Sequence, residues 1–215
     1  MGDTMVRYGQ PVMLKIDEIR HESADSKTFI FKHSLEYQIG QFIMVWLPGT
    51  DEKPFAISKY GNNFFGFTAL SRGKFTKLLH TMKVGECVGV RGPFGRGFTI
   101  PDSIKSGEAN GCIIGGGGGM ASLVTLIEAI QQSNVLVLNG ATTESQLIFA
   151  DRFEKMILLT DDGSIGTKGY PTDMLEELHK KHNFSIIYTC GPEIMMLKVY
   201  EFCRKNNILC EASLE

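Results

Sequence analysis

The chain has 215 residues, of which 43% are hydrophobic and 21% charged, and its net charge is −2. This composition is typical of a soluble globular protein with room for two small domains, and the slight negative charge argues against a nucleic-acid partner. No apolar run approaches the roughly 20 residues that a membrane-spanning helix needs, so no membrane association is expected. Five dispersed cysteines and an N-terminus unlike a signal peptide indicate a reducing compartment, which predicts a cytoplasmic protein.

Residues 12–100 predict an antiparallel β domain. Short runs rich in aromatic and β-branched residues recur at close spacing, separated by Gly, Pro, Asn and Asp, as in a barrel or sandwich. These runs are VMLKIDEI, KTFIFKH, QFIMVWL, FAISKY, FFGFTAL and ECVGV. One stretch, RGKFTKLLHTM, instead spaces Phe75, Leu78, Leu79 and Met82 as on one face of a helix. We therefore expect an antiparallel β-barrel with one short helix inserted.

From about residue 104 the sequence alternates between buried strands and helices. The runs GCIIGG, NVLVLNG, KMILLTD and FSIIYTCG are continuously apolar, as in parallel strands buried on both faces. Between and after them lie the helical stretches MASLVTLIEAIQQ, TDMLEELHKKH and PEIMMLKVYEFCRKN. This alternation predicts an α/β doubly wound parallel sheet. We divide the chain into residues 1–103 and 104–215, with the boundary in the polar stretch IPDSIKSGEAN.

Five consecutive glycines stand in IIGGGGGMASL, residues 113–123, where the first parallel strand passes into its helix. At such a turn glycines let the backbone approach phosphates, and the free helix N–H groups favour an anion. The fingerprint GxGxxG fails here, because Met120 stands where its third glycine belongs. A tight strand–helix turn without a ligand is the alternative.

Three further stretches carry related signals. In YTCGPEIMM, residues 188–196, a buried strand ends at the carboxyl edge of the same sheet and a helix begins at Pro192. In EKPFAIS, residues 52–58, a cation and an aromatic residue enter a barrel strand. In RGKFT, residues 72–76, a glycine precedes a short helix whose first turn is a second possible anion site.

In this order the motifs resemble the ferredoxin–NADP reductase superfamily, in which a flavin-binding antiparallel barrel precedes a nicotinamide-binding α/β domain. Within it the chain is most similar to the electron-transfer subunits of two-subunit dihydroorotate dehydrogenases. The similarity runs through IGGGGGMA, TDDGSIGTKGYPTDML, TCGPEIMM and CEASLE and covers essentially the whole chain. It implies that residues 1–103 bind FAD, that residues 104–215 bind NAD, and that the glycine run is the pyrophosphate turn.

The resemblance places FAD contacts in two segments of the β domain. Lys53 stands where the family has arginine, so the charge is kept but the bidentate fork is lost. Ala56 lacks the hydroxyl that commonly faces flavin N5, and Ser58 on the same strand face is not expected to replace it. For Phe55 and Phe75 the alternative is a place in the barrel core. The implied FAD contacts are Lys53, Pro54, Phe55, Ala56, Gly73, Phe75 and Thr76.

The resemblance also places nicotinamide contacts in the α/β domain. Cys190 matches the cysteine that lies close to the nicotinamide in relatives and is the one catalytic candidate; its alternative is a small buried hydrophobe at a strand end. Ser122 departs from a usual proline. Hydride transfer needs alignment of the two cofactors more than it needs an acid or base. The implied contacts are Gly116, Gly117, Gly119, Met120, Cys190, Gly191 and Pro192.

The stretch ATTESQ after the second parallel strand indicates the choice of nucleotide. NADP-dependent members of the superfamily generally have Arg or Lys there to hold the 2′-phosphate. Here the side chains are neutral or acidic, and Glu144 would repel that phosphate. We therefore expect NADH to be preferred over NADPH.

No metal site is expected. In the dehydrogenase subunits the segment resembling CEASLE leads into four closely spaced cysteines that hold a [2Fe–2S] cluster. This chain ends at Glu215, and its cysteines do not supply that set. His179 and His182 lack a visible third ligand and are interpreted as a solvated helix end.

The resemblance implies an NADH-linked flavin oxidoreductase: an electron-transfer subunit that uses FAD to pass electrons between NAD(H) and an FMN-containing dehydrogenase catalytic subunit. That enzyme would be dihydroorotate dehydrogenase of pyrimidine biosynthesis. Two alternatives remain open. One is a free-standing NADH-dependent flavin, ferric or dye reductase, and the other is a non-catalytic regulatory subunit that retains the fold.

Overall fold

The computed structural model describes residues 9–130, 134–153 and 156–214. The chain divides into two compact units between Gly97 and Phe98, a few residues before the predicted boundary at 103/104. The Phe98 ring meets the Tyr188 ring edge to face, with 5.6 Å between ring centroids. The Tyr188 hydroxyl donates to the Thr99 carbonyl at 2.7 Å. These contacts attach the connecting segment to the second unit.

The first unit is a seven-stranded antiparallel sheet with strand order β1-β7-β4-β5-β6-β3-β2. The predicted strand VMLKIDEI is divided in two. The Ile16 amide donates to the Glu86 carbonyl and the Asp17 amide to the Ile30 carbonyl, so the chain changes its hydrogen-bonding neighbour at this point. The strands are β1 Val12–Lys15, β2 Glu18–Ser23, β3 Ser26–Phe31, β4 Phe42–Trp46, β5 Glu52–Gly61, β6 Phe64–Leu70 and β7 Cys87–Phe94.

Stacked phenylalanine rings of β3 and β6 lie in the core of the first unit, together with aliphatic side chains. Residues that alternate along β3 and β6 face each other across the two strands, because antiparallel neighbours in register share a face of the sheet. The Phe29 and Phe67 rings stack at 5.4 Å between centroids, and the Phe31 and Phe65 rings at 5.3 Å. The apolar alternation seen in the sequence thus forms the core of a β unit, as predicted.

Helix α1 (Lys74–Thr81) follows β6 in the first unit. Phe75 and Leu79 are buried in the core, and Met82 packs against it. Leu78 was expected on the same face, but it is 43% exposed. Leu78 lies three residues after Phe75 and one before Leu79, so it is rotated by about 60° and 100° from these two buried positions, toward solvent.

The second unit is a six-stranded parallel sheet with strand order β11-β10-β9-β8-β12-β13. Together with the first unit it confirms the predicted two-domain fold class. The short strands β11 and β13 were not predicted. The strands are β8 Asn110–Gly116, β9 Val135–Ala141, β10 Met156–Thr160, β11 Thr167–Lys168, β12 Phe184–Cys190 and β13 Leu209–Ala212. The helices are α2 Asp102–Lys105, α3 Met120–Ile130, α4 Leu175–His182 and α5 Glu193–Asn206.

The strand order reverses direction at β8. The chain continues from β8 to β9 on one side, whereas β12 pairs with β8 on the other. At their carboxyl ends β8 and β12 are in register, with Gly115 opposite Cys190. In open parallel sheets ligands bind in the crevice at such a reversal. The glycine run and the Cys190–Pro192 turn therefore lie together where this fold places its ligand.

Candidate cofactor-binding sites

The glycine run forms a short 3₁₀ turn, Gly117–Gly119, between β8 and α3. Gly117 has a φ of +53°, in the left-handed region that favours glycine, and a β-carbon there would meet no atom within 4 Å. The backbone at Gly117 is therefore open to a ligand. It opens the 3₁₀ turn that leads into α3, and the Met120 N–H at the start of that helix donates to the carbonyls of Gly117 and Gly118.

Other glycines of the run are closed by packing. A β-carbon on Gly119 would overlap the carbonyl group of Cys190, and one on Gly116 would lie 2.8 Å from Pro192 Cδ. Gly191 has a φ of +152°, and a β-carbon there would lie 2.9 Å from the backbone nitrogen of Gly116. The run thus has two roles, since some glycines bring the two turns into contact while Gly117 stays accessible.

Met120 occupies the position of the third fingerprint glycine and is fully buried. A β-carbon on Gly115 would lie 2.5 Å from Met120 Cε, so the methionine side chain packs behind the turn. The open Gly117 backbone and the adjoining helix start fit a dinucleotide pyrophosphate. Open left-handed glycines also occur at Gly49 and Gly85, so the role of the run as a pyrophosphate turn stays a prediction.

Cys190 ends β12 and is 2% exposed. Its burial is what the alternative of a small apolar residue at a strand end requires. Pro192, which precedes α5, is exposed. The structure therefore places the predicted residues Cys190, Gly191 and Pro192 beside the glycine run. The role of Cys190 toward nicotinamide stays a prediction.

Acidic residues cluster in the loops after β9 and β10. Glu144 opens the 3₁₀ turn Glu144–Gln146 and is exposed. Asp161 and Asp162 follow β10, and their amides donate to the carbonyls of Ala141 and Thr142, which joins the two loops. The two aspartates were not considered in the choice of nucleotide. Their signal was available, because Asp161 ends the predicted strand KMILLTD and Asp162 follows it.

In the first unit the predicted flavin strand is β5. The Lys53 ammonium pairs with the Asp51 carboxylate at 2.6 Å, and both side chains are largely exposed. The neighbouring Glu52 binds Arg91 of β7 through two hydrogen bonds, one of them 2.6 Å from Arg91 Nε, which holds the pKa of the Glu52 carboxyl below its usual value. Lys53 is thus the cation of this segment that can change its partner easily.

The second predicted flavin segment is the start of α1. The Thr76 hydroxyl oxygen accepts the N–H groups of Arg72 at 2.9 Å and Gly73 at 3.1 Å. A β-carbon on Gly73 would meet no atom within 4 Å. The first turn of α1 is therefore open on the Gly73 side, which fits a phosphate. Thr76 holds this turn in shape, because its hydroxyl oxygen accepts these two backbone N–H groups.

The predicted aromatic contacts differ in exposure. Phe75 is 8% exposed and belongs to the core, as its alternative interpretation states. Phe55 is half-buried, and its ring lies 4.8 Å from the Phe67 ring and 6.1 Å from the Phe75 ring between centroids. Of the two rings, only Phe55 offers surface to a ligand. Beside it Pro54 is exposed and Ala56 half-buried.

Ser58 does not take over the hydroxyl position lost at Ala56. It is fully buried, and its hydroxyl is 2.7 Å from the Thr68 hydroxyl. The Thr68 hydroxyl in turn contacts that of Thr28 at 2.7 Å, which donates to Glu22 at 2.6 Å. These hydrogen bonds direct Ser58 into the sheet.

The sequence predicted that all five cysteines are dispersed, but two of them interact. Cys203 of α5 and Cys210 of β13 share a hydrogen bond, which raises the pKa of the Cys203 thiol and lowers that of Cys210. Burial raises the pKa of the Cys112 thiol. Across residues 9–130, 134–153 and 156–214, no group of three or more His, Cys, Asp or Glu side chains is arranged to hold a metal ion.

Two sites of different character result, each within one compact unit. An antiparallel unit with an open helix start and a half-exposed aromatic ring precedes a parallel unit with an open glycine turn at its strand reversal. This is the architecture of a two-domain dinucleotide-binding oxidoreductase.

Comparisons with known proteins agree with this class. Residues 13–98 match the oxidoreductase FAD-binding domain family. The probable dihydroorotate dehydrogenase B (NAD(+)) electron transfer subunit of Methanocaldococcus jannaschii is 41% identical over 212 residues, covering 96% of this chain and 78% of that protein. The corresponding protein of Thermoplasma acidophilum is 36% identical over 204 residues, covering 94% and 77%.

Solved structures show the same fold. An NADH-dependent reduced ferredoxin-NADP oxidoreductase, described for flavin-based electron bifurcation, matches 96% of this chain and 78% of its own with a TM-score of 0.81 and 26% identity. A ferredoxin NADP+ reductase from Neisseria gonorrhoeae with bound FAD and NADP matches 96% and 100% with a TM-score of 0.79 and 16% identity.

The chain belongs to the ferredoxin–NADP reductase superfamily and, within it, to the family of dihydroorotate dehydrogenase B electron transfer subunits. It is a flavin-dependent oxidoreductase whose flavin cofactor is FAD. None of the helices in the part of the chain that the structure describes is long and apolar enough to cross a membrane.

Proposed function

We propose that this protein is an electron-transfer subunit that uses FAD to pass electrons between NAD(H) and a separate FMN-containing catalytic subunit, which oxidises dihydroorotate. The observation that carries the proposal is the contact between the glycine run and the Cys190–Pro192 turn at the strand reversal. This protein is 41% identical to a probable NAD(+)-linked electron transfer subunit. At this edge of its parallel sheet it has a turn suited to a dinucleotide.

The nicotinamide dinucleotide would be held at the edge of β8 and β12. The backbone around Gly117 would receive the pyrophosphate, because this glycine is open and adjoins the start of α3. Gly116, Gly119 and Gly191 would keep the two turns in contact. Cys190 would then form part of the floor beneath the nicotinamide, as a buried residue that excludes water.

FAD would be held in the first unit. When bound, it supplies acceptance of a hydride and release of single electrons. The open first turn of α1 at Gly73 would receive the pyrophosphate, with Thr76 fixing the turn. Lys53 would exchange its exposed partner Asp51 for a phosphate, which costs little because exposed ion pairs are weak. The half-exposed Phe55 ring would contact the flavin ring.

NADH would be preferred to NADPH. Glu144, Asp161 and Asp162 place negative charge on the joined loops after β9 and β10, and each would repel a 2′-phosphate. Lys168 of β11 is a nearby cation, since a β-carbon on Gly163 would lie 3.2 Å from Lys168 Cβ. One lysine against three carboxylates leaves a net negative surface.

The experiment that tests the proposal is reconstitution. The chain is purified with FAD, combined with a dihydroorotate-oxidising FMN subunit from the same cell, and assayed for NAD⁺ reduction that depends on dihydroorotate. Each subunit alone serves as the control. We expect NAD⁺ reduction only in the mixture.

Two results would contradict the proposal. No NAD⁺ reduction coupled to dihydroorotate in the mixture, although NADH oxidation with dyes is intact, would indicate a free-standing reductase. A chain that purifies without flavin and cannot be loaded with FAD would indicate a non-catalytic regulatory subunit.

A further inference from the structure

The Ser164 hydroxyl forms a further link between the two acidic loops described above. The Ser164 hydroxyl donates to Asp162 Oδ1 at 2.7 Å and accepts the Glu144 N–H at 2.8 Å. The Ser164 amide also donates to Asp162 Oδ1, at 2.9 Å. Ser164 thus belongs to the loop after β10 but holds the first residue of the 3₁₀ turn after β9.

The direction of these hydrogen bonds is fixed by chemistry. A carboxylate only accepts and a backbone N–H only donates, so the single Ser164 proton must point to Asp162 and its lone pair to Glu144. Hydrogen bonds from Ser164 hold the pKa of the Asp162 carboxyl below its usual value, which keeps it charged. The bridge is therefore the same at all pH values at which Asp162 is ionised.

Without the bridge, the two loops are joined at their strand ends alone. The amides of Asp161 and Asp162 reach Ala141 and Thr142, but neither bond reaches Glu144. Glu144 is exposed, and repulsion between exposed charges weakens with distance and screening. The effect of Glu144 on a ligand phosphate therefore depends on how firmly its backbone is held.

We propose that Ser164 is a positioning residue for nucleotide selectivity. By fixing the backbone of Glu144, it keeps that carboxylate in position to repel a 2′-phosphate. In the same position the carboxylate accepts a hydrogen bond from the free 2′-hydroxyl of an adenosine ribose. The inference rests on the proposed binding of NAD(H). It assigns to an uncharged residue, which does not itself contact the nucleotide phosphates, part of the discrimination between NADH and NADPH.

The test is a set of variants in the full-length FAD-loaded protein: Ser164→Ala, Ser164→Thr, Glu144→Gln and the double variant Ser164→Ala/Glu144→Gln. Dissociation constants for NADH and NADPH are measured by titration, and kcat is measured with a dye acceptor. Ser185→Ala is the matched control. Its hydroxyl is also exposed and bonded at 3.1 Å, to the Asn110 carbonyl, but it lies at the opposite, amino end of β12.

We expect Ser164→Ala to lower the NADPH/NADH ratio of dissociation constants about fivefold, the equivalent of one hydrogen bond, with kcat and FAD content unchanged. Ser164→Thr keeps the hydroxyl and should keep the ratio. Because Ser164 acts through Glu144, the double variant should match Glu144→Gln alone rather than show the product of both effects. Ser185→Ala should have the wild-type ratio.

An unchanged ratio in Ser164→Ala, or effects of Ser164→Ala and Glu144→Gln that multiply, would overturn the inference while leaving the proposed function intact. Wild-type protein that binds neither nucleotide would instead overturn the proposed function and this inference with it. Circular dichroism of Ser164→Thr and Ser164→Ala separates a lost fold from a lost contact.

Discussion

Gly119 of the glycine run lies directly against the Cys190 carbonyl group, so closely that a β-carbon on Gly119 would overlap the carbonyl carbon and oxygen. The two residues are 71 positions apart, and the pairing of β8 with β12 brings them together. A methyl group at Gly119 has no room unless the end of β12 moves. The packing of the two turns against each other thus depends on Gly119.

Gly119→Ala is expected to destabilise the protein. Inserting a methyl group into a packed contact costs up to about 3 kcal/mol where it meets backbone atoms, so the free energy of unfolding in urea should fall by about that amount. Gly117→Ala is the comparison, since its β-carbon would meet no atom within 4 Å and only its positive φ is unfavourable, at about 1 kcal/mol. Equal losses in both variants would contradict the close contact at Gly119.

Gly117→Val is expected to weaken nucleotide binding while leaving bound FAD in place. The branched side chain would occupy the open space over the turn, and Gly117 lies in the compact unit that does not contain the flavin segments. Stopped-flow mixing with NADH should show slow or absent flavin reduction at an unchanged flavin absorbance. Normal reduction by NADH in this variant would exclude the glycine run as the pyrophosphate site.

Thr76→Ala combined with Lys53→Ala is expected to reduce flavin occupancy sharply. The first change removes the hydroxyl that holds the Arg72 and Gly73 amides, and the second removes the exposed cation of β5. The FAD-to-protein ratio after purification measures the effect. Thr81→Ala is the matched control, because its hydroxyl donates to the Leu78 carbonyl at 2.7 Å, at the far end of α1. Full retention of FAD in the double variant would contradict the assignment.

Much of the fold could be predicted from the sequence, because burial leaves a strong pattern. The run FFGFTAL coincides with β6, and the continuous apolar runs coincide with the parallel strands. The strands that were missed lack such a pattern: β11 has two residues, and Leu209 at the start of β13 is 64% exposed. These two strands depend on pairing with a neighbour rather than on burial of their own side chains.

The candidate site could be predicted only in part. The glycine run and the Cys190–Pro192 turn are visible because each directly follows a strand. Pairings made after folding are not visible in this way. Examples are the ion pair of Lys53 with Asp51 and the hydrogen bond of Cys203 with Cys210, which α5 and β13 bring together.

Glu144→Lys is expected to shift nucleotide preference toward NADPH. Reversing one charge near a phosphate changes the interaction by on the order of 1–2 kcal/mol at a protein surface, which corresponds to roughly tenfold or more in relative affinity. Competition of NADPH against NADH in flavin reduction measures the change. Glu177→Lys, the same substitution on an exposed position of α4, is the control. Wild-type preference for NADPH would show that the acidic loops were misinterpreted.

Purified with FAD, this 215-residue chain is expected to contain no iron–sulfur cluster. Such clusters are held by sets of four cysteine thiolates, and the five cysteines here are placed otherwise. Cys87 belongs to the first compact unit, whereas the other four cysteines belong to the second. Cys112 is fully buried, and burial raises the pKa of its thiol, which opposes thiolate formation. The Cys203 thiol interacts with the Cys210 thiol without a disulfide, and Cys190 ends β12.

The consequence of lacking a cluster is kinetic. Flavin exchanges both hydride and single electrons, so NADH oxidation by artificial dyes should proceed in this chain without iron. Transfer to the natural partner, as expected in the reconstituted mixture, should then require the partner's own cofactor to approach the flavin directly. Iron and acid-labile sulfide are measured on protein purified without added metal, alongside its FAD content. Iron in a stoichiometric ratio to FAD would contradict the ligand argument, because no group of three or more His, Cys, Asp or Glu side chains in the described part of the chain is arranged to hold a metal ion.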